Sequence, residues 1–143
     1  MTGPQKFIAS ALDWFANRPD VHAVALVGSH ARGSARPDSD IDIVVVVDDP
    51  ETYLNDTTWT SMFGNVARAV VENWGSVTSL RVFYSGGPEV EFGFTTDAWC
   101  HLPPDPGTRA VIQAGCVILF DRAQTLSALV EACRHGAGNS PMD

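Results

Sequence analysis

A chain of 143 residues, 45% hydrophobic and 18% charged, has room for one domain with a self-sufficient core, and its balance excludes a disordered protein. The formal net charge of −8, from 9 basic and 17 acidic residues with no basic run, weighs against a long nucleic-acid substrate, which needs clustered Lys and Arg to displace phosphate counter-ions. Cys100, Cys116 and Cys133 are scattered reduced thiols, the start lacks signal-peptide character, and the longest apolar run, Ile43 to Val47, is too short for a bilayer, so a cytoplasmic protein without a membrane is expected.

Phe7, Ile8, Ala11, Leu12 and Phe15 recur at helical spacing and predict an amphipathic helix near 4–17, broken by Arg18-Pro19-Asp20. Val21 to Val27 reads as a buried strand ending at Gly28. After a polar loop, Ser34 to Ser39, a second β-branched strand runs from Asp40 to Val47 and stops at Asp48-Asp49-Pro50. The stripe Trp59, Met62, Phe63, Val66, Val70, Trp74 predicts a helix over 51–74, with Gly75 as its cap and its tryptophans in the core. Val77 to Tyr84 and Glu89 to Thr95 read as a hairpin joined by Ser85-Gly86-Gly87-Pro88. A short helix to Ala114, a strand Cys116 to Phe120 and a helix Ala123 to Arg134 follow, and residues 136–143 read as a disordered tail. The order predicts a single α+β domain over 1–135, a mixed β-sheet with helices packed on one face.

Chemistry concentrates in Gly28-Ser29-His30-Ala31-Arg32-Gly33 and Ser39-Asp40-Ile41-Asp42. A strand that stops at Gly-Ser and turns into a short helix offers bare N–H groups and a hydroxyl to a phosphate chain; as a lone signal, a plain junction capped by Ser29 explains it as well. Asp40 and Asp42 sit two apart on a strand, so both leave the same face while Ile41 and Ile43 pack the other way. Two aligned carboxylates repel and call for a hard divalent counter-charge such as Mg²⁺ or Mn²⁺. In Glu89-Val90-Glu91-Phe92 the acidic residues share one face. Glu91, deeper in its strand, is the favoured third carboxylate; Glu89 is the alternative, balanced by Arg81. His30 reads as a solvated position and Ser39 as a loop-closing cap. Trp99 to Pro104 gathers aromatic, thiol and imidazole groups that could border an acceptor pocket, or be structural.

The pattern Gly-Ser, ten residues, then Asp-x-Asp resembles the nucleotidyltransferase superfamily related to DNA polymerase beta. The fuller form, Gly-Ser-x-Ala-Arg-Gly ending in Ser-Asp-x-Asp, is similar to the minimal nucleotidyltransferases and their antibiotic-modifying relatives, and the likeness extends over about residues 5 to 121. The resemblance implies an enzyme that moves an NMP, AMP from ATP by preference, to a hydroxyl of an acceptor with release of pyrophosphate. Gly28, Ser29, Arg32 and Ser39 would serve the triphosphate, Arg32 either steadying phosphate charge or tying the short helix to a carboxylate. Asp40, Asp42 and Glu91, or Glu89, would hold metal, with Glu91 alternatively acting as base. The acceptor, small molecule or protein, stays open. Antibiotic-modifying relatives carry an additional helical domain, so a small-molecule pocket here would call for a homodimer. The rival reading is an antitoxin that modifies or masks a helical toxin, and a third is an idle binding module.

Overall fold

The structure, a computed structural model, describes residues 3–135. Helix α1 (Gly3–Ala16) leads into strand β1 (Val21–Val27), the short helix α2 (Gly28–Arg32) and strand β2 (Ile41–Val47). One helical turn, α3 (Glu51–Leu54), and a 3-10 segment, Thr58–Phe63, precede strands β3 (Val66–Asn73), β4 (Thr78–Tyr84) and β5 (Glu89–Thr95). A 3-10 turn at Asp97–Cys100, helix α4 (Pro106–Ala114), strand β6 (Cys116–Asp121) and helix α5 (Thr125–His135) complete the order. The strands form one six-stranded sheet, β3-β4-β5-β2-β1-β6, in which β2 and β5 run parallel and the other neighbours are antiparallel. This is the expected α+β, mixed-sheet architecture.

The near-continuous apolar runs of β1 and β2 suit strands covered on both sides, and that is where they sit. Alternation sends Val24, Leu26, Ile41, Ile43 and Val45 to one face, against Phe7, Ala11 and Phe15 of α1, Tyr53 of α3, and Trp59. Aromatic stacking fills this layer: Tyr53 lies over Phe94 at 4.9 Å and 6°, and Trp14 over Trp59 at 5.5 Å and 13°. Ala23, Ala25, Val27, Val44 and Val46 face the other way, against Trp99, Ile112 of α4, and Leu126 and Leu129 of α5. Helices therefore cover both faces rather than the single face expected, because both alternating sets of residues on β1 and β2 are mostly apolar.

Segment 51–74 is not one helix. It makes the α3 turn, then the 3-10 segment, and beyond Gly64 it becomes β3, paired antiparallel with β4 from Val66↔Tyr84 to Asn73↔Thr78. The pairing gives the β4 backbone a ladder on its outer side, which outweighs a helical stripe interrupted by glycine. Trp59 enters the core, at 8% exposure, but Trp74, expected there, is 61% exposed. The second strand starts at Ile41, leaving Asp40 just ahead of it. The expected tail, 136–143, lies outside the described residues.

Candidate active site

The catalytic candidates gather where β1 ends and where β2 and β5 begin. Val27, Asp42 and Glu91 are Cα partners across the three strands, in that order, so Asp42 stands between the Gly28 turn and Glu91. Gly28 has φ +74, and a Cβ added there would run into a carboxylate oxygen of Asp42. Backbone conformation and space both demand glycine. The N-cap of α2 is Val27, extended at φ −126, and no side chain caps the helix. Ser29 therefore does not cap it, contrary to the plain-junction reading, and the first amides of α2 have no side-chain acceptor.

The loop to β2 is closed by Ser39, whose Oγ accepts from the Arg36 N–H at 2.8 Å while its own N–H donates to the Arg36 carbonyl at 3.0 Å. The His30 ring nitrogen Nε2 lies 3.4 Å from the Ser39 carbonyl. Arg32 is exposed, and its stem packs where a Cβ on Gly115 would come within 2.6 Å of it. Among the described residues it pairs with no carboxylate, which removes the reading in which it ties α2 to an acid.

Asp42 is the most perturbed acid of the group. Its carboxyl is pushed up from 3.8 to about 6, first by burial, then by the charges of Glu91 and Asp40, with Arg81 only partly opposing them. Arg81 on β4 is spent elsewhere. Its Nη2 donates to Glu91 Oε1 at 2.7 Å, its Nη1 to Glu89 Oε2 at 2.5 Å and to Asp40 Oδ2 at 3.2 Å, and its Nε to Glu72 Oε1 at 3.1 Å. Burial works against the guanidinium's charge, yet Glu89, Glu91 and Glu72 more than reverse that and raise its pKa. The balance of Glu89 by Arg81 read from the sequence is present as one contact of four. Glu72 joins this cluster because its segment is strand β3 and not the expected helix, a strand whose sequence cue is the β-branched run around Val66, Val70 and Val71 between Gly64 and Gly75.

A cavity of about 950 Å³ opens beside Asp42 and Glu91 on the same face. Gly93 keeps its floor low, since a Cβ there would lie 2.9 Å from Val77 Cγ1. The β3–β4 turn overhangs it and is pinned by Thr95 Oγ1 donating to the Ser76 carbonyl at 2.7 Å, which sets the exposed Trp74 on the rim. Trp99, His101 and Pro103 also line it, whereas among the described residues no Lys or Arg does. The walls thus suit a ligand without phosphate, and the phosphate-binding features lie on the Gly28 side.

Whether this chemistry fits a metal can be judged from Asp42. A carboxylate desolvated beside two other acids, with its guanidinium neighbour bonded to others, is an all-oxygen donor environment short of positive charge, which suits Mg²⁺ or Mn²⁺. Among the described residues no three His, Cys, Asp or Glu side chains converge as a ready-made metal group. Arg81 takes one oxygen each from Asp40, Glu89 and Glu91 and leaves the other.

Residues 8–73 match the nucleotidyltransferase domain family. No curated protein matches the chain. Among solved structures, an aminoglycoside 6-adenyltransferase from Bacillus subtilis aligns at 17% identity and TM-score 0.55, over 69% of this chain and 37% of that one. Cid1 in complex with the UTP analogue UMPNPP aligns at 17% identity and TM-score 0.42, over 66% and 31%. A cytoplasmic RNA terminal U-transferase aligns at 16% identity and TM-score 0.47, over 77% and 33%. The chain spans about a third of the length of these proteins. The first likeness shows a shared fold.

Proposed function

We propose, on the premise that this chain carries a nucleotidyltransferase-family domain, that it transfers an NMP from a nucleoside triphosphate to a hydroxyl of an acceptor and releases pyrophosphate. The observation that carries this reading is the in-register row of Val27–Gly28, Asp42 and Glu91, with an uncapped helix start on one side and, on the other, a cavity lined by no Lys or Arg among the described residues.

Asp40 and Asp42 would hold Mg²⁺ or Mn²⁺, with Glu91 completing the set and Glu89 as its alternative. Such an ion, when bound, neutralises charge on the phosphates and favours departure of pyrophosphate. The chain's own residues do the rest. The α2 amides and the Ser29 hydroxyl donate to phosphate oxygens, and Gly28 lets the phosphates approach the backbone closely. Arg32, exposed at the end of α2, can meet the outer phosphates, while Ser39 holds the loop that carries them. Glu91, on the cavity side of Asp42, orients the acceptor hydroxyl or takes its proton. AMP from ATP is the donor to test first, because the 28–42 segment is similar to antibiotic-modifying nucleotidyltransferases. An acceptor in the cavity carries no phosphate, and a small molecule suits its volume.

A protein acceptor or a helical partner is favoured by one separate feature. Edge strand β3 leaves Val71 55% exposed, a surface that a partner could cover. Co-purification of a small helical protein that Val71→Lys abolishes would support that reading.

The activity test is label transfer from α-labelled ATP with Mg²⁺ across candidate acceptors, read together with pyrophosphate release. Asp42→Asn is expected to lower the rate by at least about a hundredfold while the fold is kept. Unchanged turnover in a folded Asp42→Asn protein would remove the proposed site.

A further inference from the structure

Five carboxylates (Asp40, Asp42, Glu72, Glu89 and Glu91) surround a single guanidinium. One positive charge cannot balance them, and it is unevenly shared: Arg81 bonds directly to four and reaches Asp42 only through space. Two of its four partners, Asp40 and Glu91, are ligands in the metal reading. The other two, Glu72 and Glu89, are not needed for it.

We propose that Arg81 is a resident counter-ion of this site, which surrenders Asp40 and Glu91 to an incoming divalent cation while keeping Glu72 and Glu89. The inference rests on the metal reading above and adds a competition to it. A cation seated on Asp40 and Glu91 would press against the guanidinium N–H groups now aimed at the same carboxylates, and like charges at that range repel strongly in a partly dry site. The contacts differ in how readily they part. Arg81–Asp40, at 3.2 Å to a 43% exposed carboxylate, is the longest of the four and shares Nη1 with the 2.5 Å bond to Glu89, so that bond and the Nε bond to Glu72 remain as an anchor when Asp40 parts. The anchor lets the head group tilt without leaving the sheet. In the absence of the ion, Arg81 relieves the repulsion among acids on neighbouring strands, which would otherwise weaken the pairing of β2, β5 and β4.

Mn²⁺ binding tests this directly, measured by the loss of the free-ion electron paramagnetic resonance signal on titrating the full chain, alongside the melting temperature with and without Mn²⁺. Arg81→Gln should bind Mn²⁺ about tenfold more tightly than the wild type, since a competing charge is gone. Arg81→Lys should stay near the wild-type affinity, and Asp42→Asn should lose binding. Without metal, Arg81→Gln should melt lower than the wild type, and Mn²⁺ should raise its melting temperature by the larger increment. If Arg81→Gln fails to fold alone, refolding in Mn²⁺ is the expected rescue, and no rescue overturns the proposal. Equal or weaker Mn²⁺ binding by folded Arg81→Gln, with Asp42→Asn still defective, would make Arg81 an orienting residue and overturn the competition while leaving the metal site standing. A wild type whose Mn²⁺ uptake is indifferent to Asp42→Asn would instead bring down the metal reading itself.

Discussion

Over β1 and β6 the second face of the sheet is closed by α4 and α5 on alanine and valine, whereas over β5 and β4 the same face turns Glu91, Ser79 and Gly93 toward a cavity. Strand β2 is the border between the two. Its Val46 belongs to the closed half, Val44 both packs there and lines the cavity, and Asp42, on the same side, belongs to the open one. The closed half stabilises the fold through burial. The open half keeps charges and small residues at a cost in stability, which is the usual mark of a site held for chemistry.

Substitutions on either side of this border should separate stability from activity. In the closed half, Leu129→Ala, at a position with 0% exposure, should lower unfolding free energy by about 2–5 kcal/mol. Denaturant melts report that loss, and transfer per folded molecule should stay at the wild-type rate. At the border itself, Gly28→Ala combines a positive φ with a collision on Asp42. It should cost about 1–2 kcal/mol and should also depress triphosphate binding, so that calorimetry with ATP and Mg²⁺ registers what the melt alone would miss.

The smallest effect belongs to pH. Because the Asp42 carboxyl is raised from 3.8 to about 6 by burial and by Glu91 and Asp40, the folded state favours its neutral form. That stabilisation is complete below pH 3.8 and is lost as pH rises through about 6. In metal-free protein, Asp42→Asn should therefore melt higher than the wild type at pH 8, with the gap closing toward pH 4. A gap that widened on acidification would show that Asp42 is held as a carboxylate by a partner, contrary to the described contacts.

The border was legible in the sequence to an uneven degree. Gly28, Ser29, Asp40 and Asp42 stand within one local segment, and the alternation Glu89, Val90, Glu91 announced a strand with its acids on one face. Local spacing sufficed for these. The second layer of helices was also implied, since Val21 to Val27 and Ile43 to Val47 carry apolar residues on both faces, although a one-faced packing was expected from the element order. β3 was hidden for a physical reason. An edge strand mostly exposed on both faces has no need to alternate, so its valines fell by chance on a helical stripe that began with the buried Trp59. With β3 went Glu72, and so the four-way coordination of Arg81, which joins residues separated by 8 to 41 positions.

The most direct measurement is a crystal structure with Mn²⁺ and a non-hydrolysable ATP analogue, using the anomalous signal to place the ion. Manganese is expected at about 2.0–2.2 Å from a carboxylate oxygen of Asp42 and of Asp40, with the outer phosphates on the Gly28–Ser29 amides. Manganese bound away from Asp42, or phosphates lying in the cavity beneath Trp74, would contradict that arrangement.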